Sequence, residues 1–307
     1  MSVDAWSLDT LVEAYKQHQR RTRGLREQTL RGYERLVRLF VRAALGDDPI
    51  DPARLSSADV IGFVAAMRGR FSPRSMKAVR TALRSFFRFL RVEGLCEERL
   101  EAAIPAVAGW RLSTLPHCLS DEQFARVLAS LDASRPCGGR DRAIVVCLAS
   151  LGLRPGELAN LRLEEIDWRA GTILLRERKT RRGTVLPLPR EAGRAIVAYL
   201  REERPATDER RLFVQQLGPA RGRPLTSNAV SGVVVRAFRR AQVEAPLAGA
   251  YVFRHTVASR MVRRGASLKE VADFLGHRSL DTTAIYAKLD LVALREVALP
   301  WPEELTR

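Results

Sequence analysis

The sequence predicts a mainly α-helical chain in two domains, the second holding a small antiparallel β-sheet. Three observations predict it. Most segments carry apolar residues at helical spacing, whereas one stretch alone, 171–188, reads as two strands around a turn. At 307 residues the chain exceeds what one core serves, since single cores stop growing at roughly 250–300 residues. With 46% hydrophobic residues it has the material for real cores.

The elements follow in order. Leu8–His18 and Gln28–Leu45 read as helices. Ser56 and Ser57 suit an N-cap ahead of the apolar-periodic run Val60–Met67. Ser72-Pro73 opens a long helix to Val92, proline being tolerated in a first turn. These make an N-terminal domain of four to five helices over 1–103. Residues 104–116, with two prolines and little amphipathic pattern, read as a linker, and 117–307 as an α-rich second domain. There Ser120-Asp121-Glu122-Gln123 is a capping box before a helix through Leu131. Arg140–Leu151 is apolar nearly all round and reads as a buried helix. Gly171–Arg178 and Thr184–Leu188 are the strands, joined by Lys179-Thr180-Arg181-Arg182-Gly183. Helices resume over Arg190–Arg201, Thr226–Ala241, Val252–Arg264, Ser267–Leu275 and Leu280–Leu289.

Charge points to the partner. There are 52 Lys and Arg against 35 Asp and Glu, a net charge of +17. A polyanion explains this, because each phosphate contact releases counterions and raises affinity. The 72–92 helix sharpens the point. Met76, Val79, Leu83, Phe87 and Leu90 form a core stripe, and Arg74, Lys77, Arg80, Arg84, Arg88 and Arg91 form a second, all-cationic one. A solvated face normally mixes signs to gain i,i+4 pairs, so the cationic row reads as a contact for DNA phosphates. No apolar run is long enough to span a bilayer, and no membrane partner is expected. Cys96, Cys118, Cys137 and Cys147 form no CxxC pair and read as reduced core thiols of a cytoplasmic protein. Neither metal nor cofactor is expected.

Metal-free phosphodiester exchange needs planar cationic forks on the non-bridging oxygens, an activated nucleophile and a proton donor for the leaving oxygen. The sequence offers such a set. Gly152-Leu153-Arg154-Pro155-Gly156-Glu157-Leu158 puts an arginine in a Gly/Pro-punctuated turn, with an acid three residues on to orient it. Lys179 sits at the hairpin tip, where Arg178, Arg181 and Arg182 compete for the same place. Tyr251-Val252-Phe253-Arg254-His255 leads into a helix. Leu275-Gly276-His277 precedes Thr282-Thr283-Ala284-Ile285-Tyr286.

In this order and spacing the segments resemble the tyrosine recombinase (phage integrase, Xer-type) family, strongly over about 118–290. The N-terminal helices are similar to its core-binding domain in size and character only. The resemblance implies roles. Tyr286 attacks the scissile phosphate and becomes linked to its 3′ side. Arg154 and Arg254 clamp the non-bridging oxygens, Lys179 protonates the 5′-oxygen, and His277 donates a hydrogen bond to the phosphate. Glu157 and His255 support from behind, and Arg181 and Arg182 join the DNA contacts. The bond energy stays in the phosphotyrosine, so no nucleotide is needed. One departure stands out: the family's HxxR histidine falls on Tyr251, which is still expected among the catalytic residues because a phenol can hydrogen-bond a phosphate or relay a proton, though it is a poor base near neutral pH.

Other readings remain at this stage. Ser267–His277 with Ser279–Tyr286 scans as a helix-turn-helix, which would suit a non-catalytic DNA-binding regulator. A degenerate recombinase kept for binding and a type IB topoisomerase are further alternatives. Apolar residues of 291–307 (Leu291, Val292, Leu294, Val297, Leu299) could pack on their own domain or, as is common in the family, on a neighbour in a tetramer on DNA. An Xer-like but Tyr251-bearing chain suggests a mobile-element integrase over a housekeeping enzyme.

Overall fold

The computed structural model describes residues 6–25, 27–96, 98–106, 118–176, 183–244, 249–277 and 279–289, with the backbone alone for Pro73, Arg74 and Leu289. The chain divides into two compact units, Met1–Trp110 and Arg111–Arg307.

The first unit holds α1 (Leu8–Arg23), α2 (Glu27–Leu45), α3 (Ser57–Arg68) and α4 (Pro73–Val92). Side-chain caps fix three of the four starts. The Ser7 hydroxyl accepts from the Thr10 N–H at 3.1 Å, Ser56 from Asp59 at 3.4 Å and Ser72 from Ser75 at 3.3 Å. Met76, Val79, Leu83, Phe87 and Leu90 are all buried, and Ala82, Phe86 and Phe89 widen that stripe. Phe40 meets Phe63 and Phe87 edge-on, and Tyr15 meets Phe86 and Phe89. Such ring pairs contribute about 0.5–1.5 kcal/mol each beyond area burial. Ile104, expected in the linker, is buried in this core.

Cations are treated differently on different faces of this unit. On α1 and α2, Lys16 pairs with Glu13 and Glu34, Arg20 with Glu13 and Glu27, and Arg38 with Asp9 and Glu34. On α4, Lys77, Arg84 and Arg88 are exposed and have no acidic partner among the described residues. Two members depart from the expected row. Arg91 reaches Glu101 at 3.5 Å, and Arg80 is half-buried with its Nε lacking a hydrogen-bond partner among the described residues. The Arg74 side chain lies outside the described residues.

The second unit is built around α6 (Gly138–Leu151), whose Ala143–Leu148 run is fully enclosed. It begins two residues earlier than its apolar pattern. The Glu203 carboxylate accepts the N–H groups of Gly139 and Arg140 at 2.6 and 3.1 Å and caps it from far along the chain. Around it lie α5 (Asp121–Ala129), α7 (Pro155–Asn160), α8 (Arg190–Ala198, running into a π turn over Tyr199–Glu203), α9 (Ser227–Arg240), α10 (Tyr251–Arg263) and α11 (Leu268–Leu275). The sheet runs β1 (Ile166–Asp167), β2 (Thr172–Leu175), β3 (Thr184–Pro187), antiparallel in that order. Thr172 faces Pro187 and Leu175 faces Thr184, with Ile173, Leu175 and Leu186 turned to the core. Lys179, Arg181 and Arg182, in the turn between these strands, lie outside the described residues, as does 291–307.

Three expectations change. Residues 280–289 form not an α-helix but 3₁₀ turns at Leu280–Thr282 and Ala284–Leu289. Threonine hydroxyls compete for local partners, and Thr283 is held by His277 at 2.7 Å. This also removes the helix-turn-helix: no second α-helix follows α11 among the described residues, and Thr283 and Tyr286 point inward. Of the cysteines, Cys96 and Cys147 are core residues, whereas Cys118 and Cys137 are partly exposed. Among the described residues no helix is long and apolar enough to cross a membrane.

Gly152 ends α6 with φ +59, and a Cβ there would lie 2.9 Å from Leu275 Cδ2 and 3.4 Å from Val257 Cβ. Left-handed backbone and overpacking together cost about 2–3 kcal/mol. Gly152→Ala is therefore expected to lower the Tm by roughly 5–10 °C in a thermal melt. An unchanged Tm contradicts the packing described.

Candidate active site

The site forms where the carboxyl ends of α6 and α11 meet α10. A helix leaves its last carbonyls without partners and carries partial negative charge there. Arg254, on the first turn of α10 and only 5% exposed, answers both ends. Its Nη1 donates to the Gly152 carbonyl at 2.8 Å and its Nη2 to the Leu275 carbonyl. Arg154 immediately precedes α7. Its Nη1 donates to Glu157 Oε1 at 2.6 Å, its backbone N–H to Glu157 Oε2 at 2.9 Å, and its Nη2 makes a long bond of 3.5 Å to the Gly276 carbonyl. Two arginines 100 positions apart in sequence thus bind consecutive carbonyls, those of Leu275 and Gly276.

The same helix end sets His277. Gly276 is left-handed (φ 63), its N–H bonds the Asp273 carbonyl at 3.1 Å, and the His277 N–H bonds the Ala272 carbonyl at 2.8 Å. This is a Schellman closure, and it turns the histidine out of the helix beside the arginines. Its Nδ1 lies 2.7 Å from Thr283 Oγ1, and the Thr283 carbonyl accepts the Tyr286 N–H at 2.9 Å. His277 is thereby fastened to the turn that carries the tyrosine.

Tyr286 is 1% exposed and packs among Ala258, Val262, Val271 and Leu275. Its Oη lies 2.8 Å from His255 Nδ1, with the rings 5.8 Å apart and tilted by 52°. Burial pushes the phenol pKa well above its usual value, and the Arg254 charge pulls it only partly back. The start of the unit is tied to the other side of α10. The Leu119 N–H donates to Thr256 Oγ1 at 2.9 Å, Cys118 Sγ lies 3.1 Å from Ser259 Oγ, and Arg260 pairs with Asp121.

The structure therefore gathers Arg154, Glu157, Arg254, His255, His277 and Tyr286. It does not bring Tyr251 into that network. Tyr251 opens α10 one turn before Arg254, is 51% exposed, and makes no polar side-chain contact among the described residues. Sequence reasoning missed Thr283 and the carbonyls of Gly152, Leu275 and Gly276. The doubled threonine before Ala284 was the one visible signal; the carbonyls had none, because any residue supplies one. Electrostatically the pocket suits an anion: guanidinium groups gathered at one place, braced from behind by carbonyl dipoles and a carboxylate.

Residues 117–291 match the model of the phage integrase family, and residues 12–94 match the phage integrase N-terminal SAM-like domain. The chain is 43% identical over 293 residues to the Sinorhizobium fredii protein named “Putative integrase/recombinase y4rA”, covering 95% of this chain and 71% of that one. Two solved structures share the fold. One is the XerH site-specific recombinase bound to palindromic difH substrate in a post-cleavage complex (TM-score 0.71, 22% identity, 97% of this chain and 85% of that one). The other is a lambda integrase tetramer bound to a Holliday junction (TM-score 0.70, 18% identity, 99% and 82%). With more than half its length matched by the family's own model, this chain belongs to the phage integrase family and is a tyrosine-type site-specific recombinase, which breaks and rejoins DNA through a 3′-phosphotyrosine.

Proposed function

We propose that Arg154 and Arg254 clamp the non-bridging oxygens of the scissile phosphate, that His277 donates a hydrogen bond to it, and that Tyr286 is the nucleophile. The observation that carries this reading is the pair of guanidinium groups bound to the consecutive carbonyls of Leu275 and Gly276, next to His277. A planar fork held at a fixed angle stabilises charge that develops in the transition state without reorganising when it appears. Glu157 orients Arg154. Lys179 protonates the 5′-oxygen from the turn between β2 and β3, with Arg181 and Arg182 on neighbouring phosphates. Because Tyr286 is enclosed, attack requires the Ala284–Leu289 turn to open toward the DNA, with the phenol oxygen kept within reach of His255 Nδ1. A different 5′-hydroxyl then reverses the step and rejoins the strand.

We further propose that 1–103 is a core-binding domain that meets DNA through the α4 cations. That Lys77, Arg84 and Arg88 have no acidic partner among the described residues supports this. Residues 104–116 then act as linker to the catalytic domain 117–307. The protein works in the cytoplasm as a tetramer on DNA, with 291–307 docked on the neighbouring protomer; the lambda integrase tetramer supports the assembly. Serving a mobile element fits best, since the relative with 43% identity bears an integrase name.

A binding site is first selected from a random duplex pool with the wild-type protein, then nicked to make a suicide substrate. Wild-type protein should form a covalent protein–DNA adduct, and Tyr286→Phe should bind the duplex but form none. An adduct with Tyr286→Phe, or none with wild type, contradicts the reading. Single alanine substitutions at Lys77, Arg84 and Arg88 should weaken binding on every sequence tested. Each should also reduce the slope of log K against log salt by about 0.9. A loss confined to the selected site contradicts a phosphate role. Deletion after Asp290 should abolish tetramers on DNA in analytical ultracentrifugation while leaving the DNA-free species unchanged. Tetramers that persist overturn the docking role.

A further inference from the structure

We infer that His255 is the base that takes the proton from Tyr286 as it attacks, a task that position 251 does not fill in this chain. The inference rests on the reading of Tyr286 as nucleophile. Geometry carries it: His255 Nδ1 is 2.8 Å from the reacting oxygen, inside the roughly 2.6–3.2 Å needed for proton transfer. Tyr251 is exposed, is engaged by nothing polar among the described residues, and is itself a phenol with an ordinary pKa of roughly 10. An imidazole, ordinarily near 6.5, is largely neutral and able to accept at neutral pH.

The environment of the phenol makes a base necessary. Burial opposes the phenolate, and the nearby Arg254 charge offsets this only in part. Spontaneous ionisation at neutral pH is therefore negligible. His255 directly follows Arg254 on α10, so one helical turn fixes both the phosphate clamp and the proton acceptor. Other charged and titratable groups lie on the elements packed against α10. Among the described residues they include Cys118 before α5, Asp121 (paired with Arg260), Glu122 and Arg126 on α5, His277 after α11, Lys288 beside Tyr286, the exposed Lys269–Asp273 pair and Glu270 on α11, Arg236, Arg239 and Arg240 on α9, and the Arg140–Asp141 pair, Arg142 and Cys147 on α6.

The step balances. The Tyr286 O–H bond breaks and its proton passes to His255 Nδ1, giving an imidazolium. The phenolate oxygen forms a bond to phosphorus as the bond from phosphorus to the 5′-oxygen breaks, and that oxygen takes a proton from Lys179. On rejoining, the 5′-hydroxyl attacks and loses its proton to the Lys179 amine, while the imidazolium returns its own to the leaving phenolate. For this step His255 Nδ1 must be the unprotonated nitrogen in the resting site, with the phenol O–H donating to it.

The test uses the full-length protein on the nicked duplex selected by the wild type, with adduct formation followed in single turnover against pH. Wild type should lose rate toward acid pH, giving an acid limb as the imidazole becomes protonated. His255→Asn places a carbonyl oxygen where Nδ1 lies; it holds the phenol but cannot take its proton. It should bind the duplex as wild type does, cleave about 10²–10⁴-fold more slowly, and lose the acid limb. In His255→Gly, added imidazole should restore rate in proportion to its neutral form. A faster or unchanged rate in His255→Asn overturns the inference and makes His255 a latch on the resting tyrosine. So does an acid limb that survives in His255→Asn. If the wild type itself forms no adduct, the nucleophile assignment fails instead, and the two failures are told apart.

Discussion

The buried guanidinium of Arg254, bound to the carbonyls that end α6 and α11, is the interaction on which the rest of the catalytic unit depends. A charge that is only 5% exposed survives in a core only when its donors are satisfied. Here two helix ends supply acceptors that would otherwise be orphaned, and both dipoles favour a cation at that place. Hydrogen bonds to a charged group contribute about 1.5–3 kcal/mol each. Two guanidinium groups brought together repel, by a few kcal/mol at an effective dielectric of about 20. The carbonyls and Glu157 can therefore offset the cost of bringing Arg154 beside Arg254, though not by a wide margin. What remains is a site of net positive charge whose natural complement is a phosphate.

The same arrangement keeps the Tyr286 hydroxyl out of reach of water. Tyr286 fills an apolar niche between α10 and α11, and its turn is fastened by Thr283 to His277 and by its hydroxyl to His255. Thr283 directly precedes the 3₁₀ segment Ala284–Leu289 and Tyr286 lies within it, so both fastenings act on the turn that carries the hydroxyl. A phosphate between the two arginines would supply the negative charge that their surroundings only partly provide.

Much of this was legible in the sequence, for reasons that can be named. Arg154, Arg254, His277 and Tyr286 stood out because each lies in a short motif, and their order marked the family. The helices of the first unit were readable from serine caps and from the Met76–Leu90 periodicity. What escaped was long-range. The cap of α6 comes from Glu203, the partner of Tyr286 is 31 residues away, and the two-residue strand β1 exists only because β2 pairs with it. The 155–160 segment read as a turn because of its proline and glycine, yet proline suits a first helical turn and the segment is α7. Residues 280–289 have helical composition, and tertiary contacts to Thr283 override it. The α4 row read as uniform, but Arg91 pairs with Glu101 and Arg80 is half-buried, neither of which helical spacing reveals.

The central claim is that Arg154 and Arg254 act on one phosphate. A crystal structure of the protein bound to its selected duplex, with the scissile phosphate in place, tests it most directly. The account predicts guanidinium nitrogens of both residues within hydrogen-bonding distance of non-bridging oxygens of the same phosphate, with Arg254 still anchored to the Gly152 carbonyl. A phosphate held by one arginine while the other points elsewhere would contradict it.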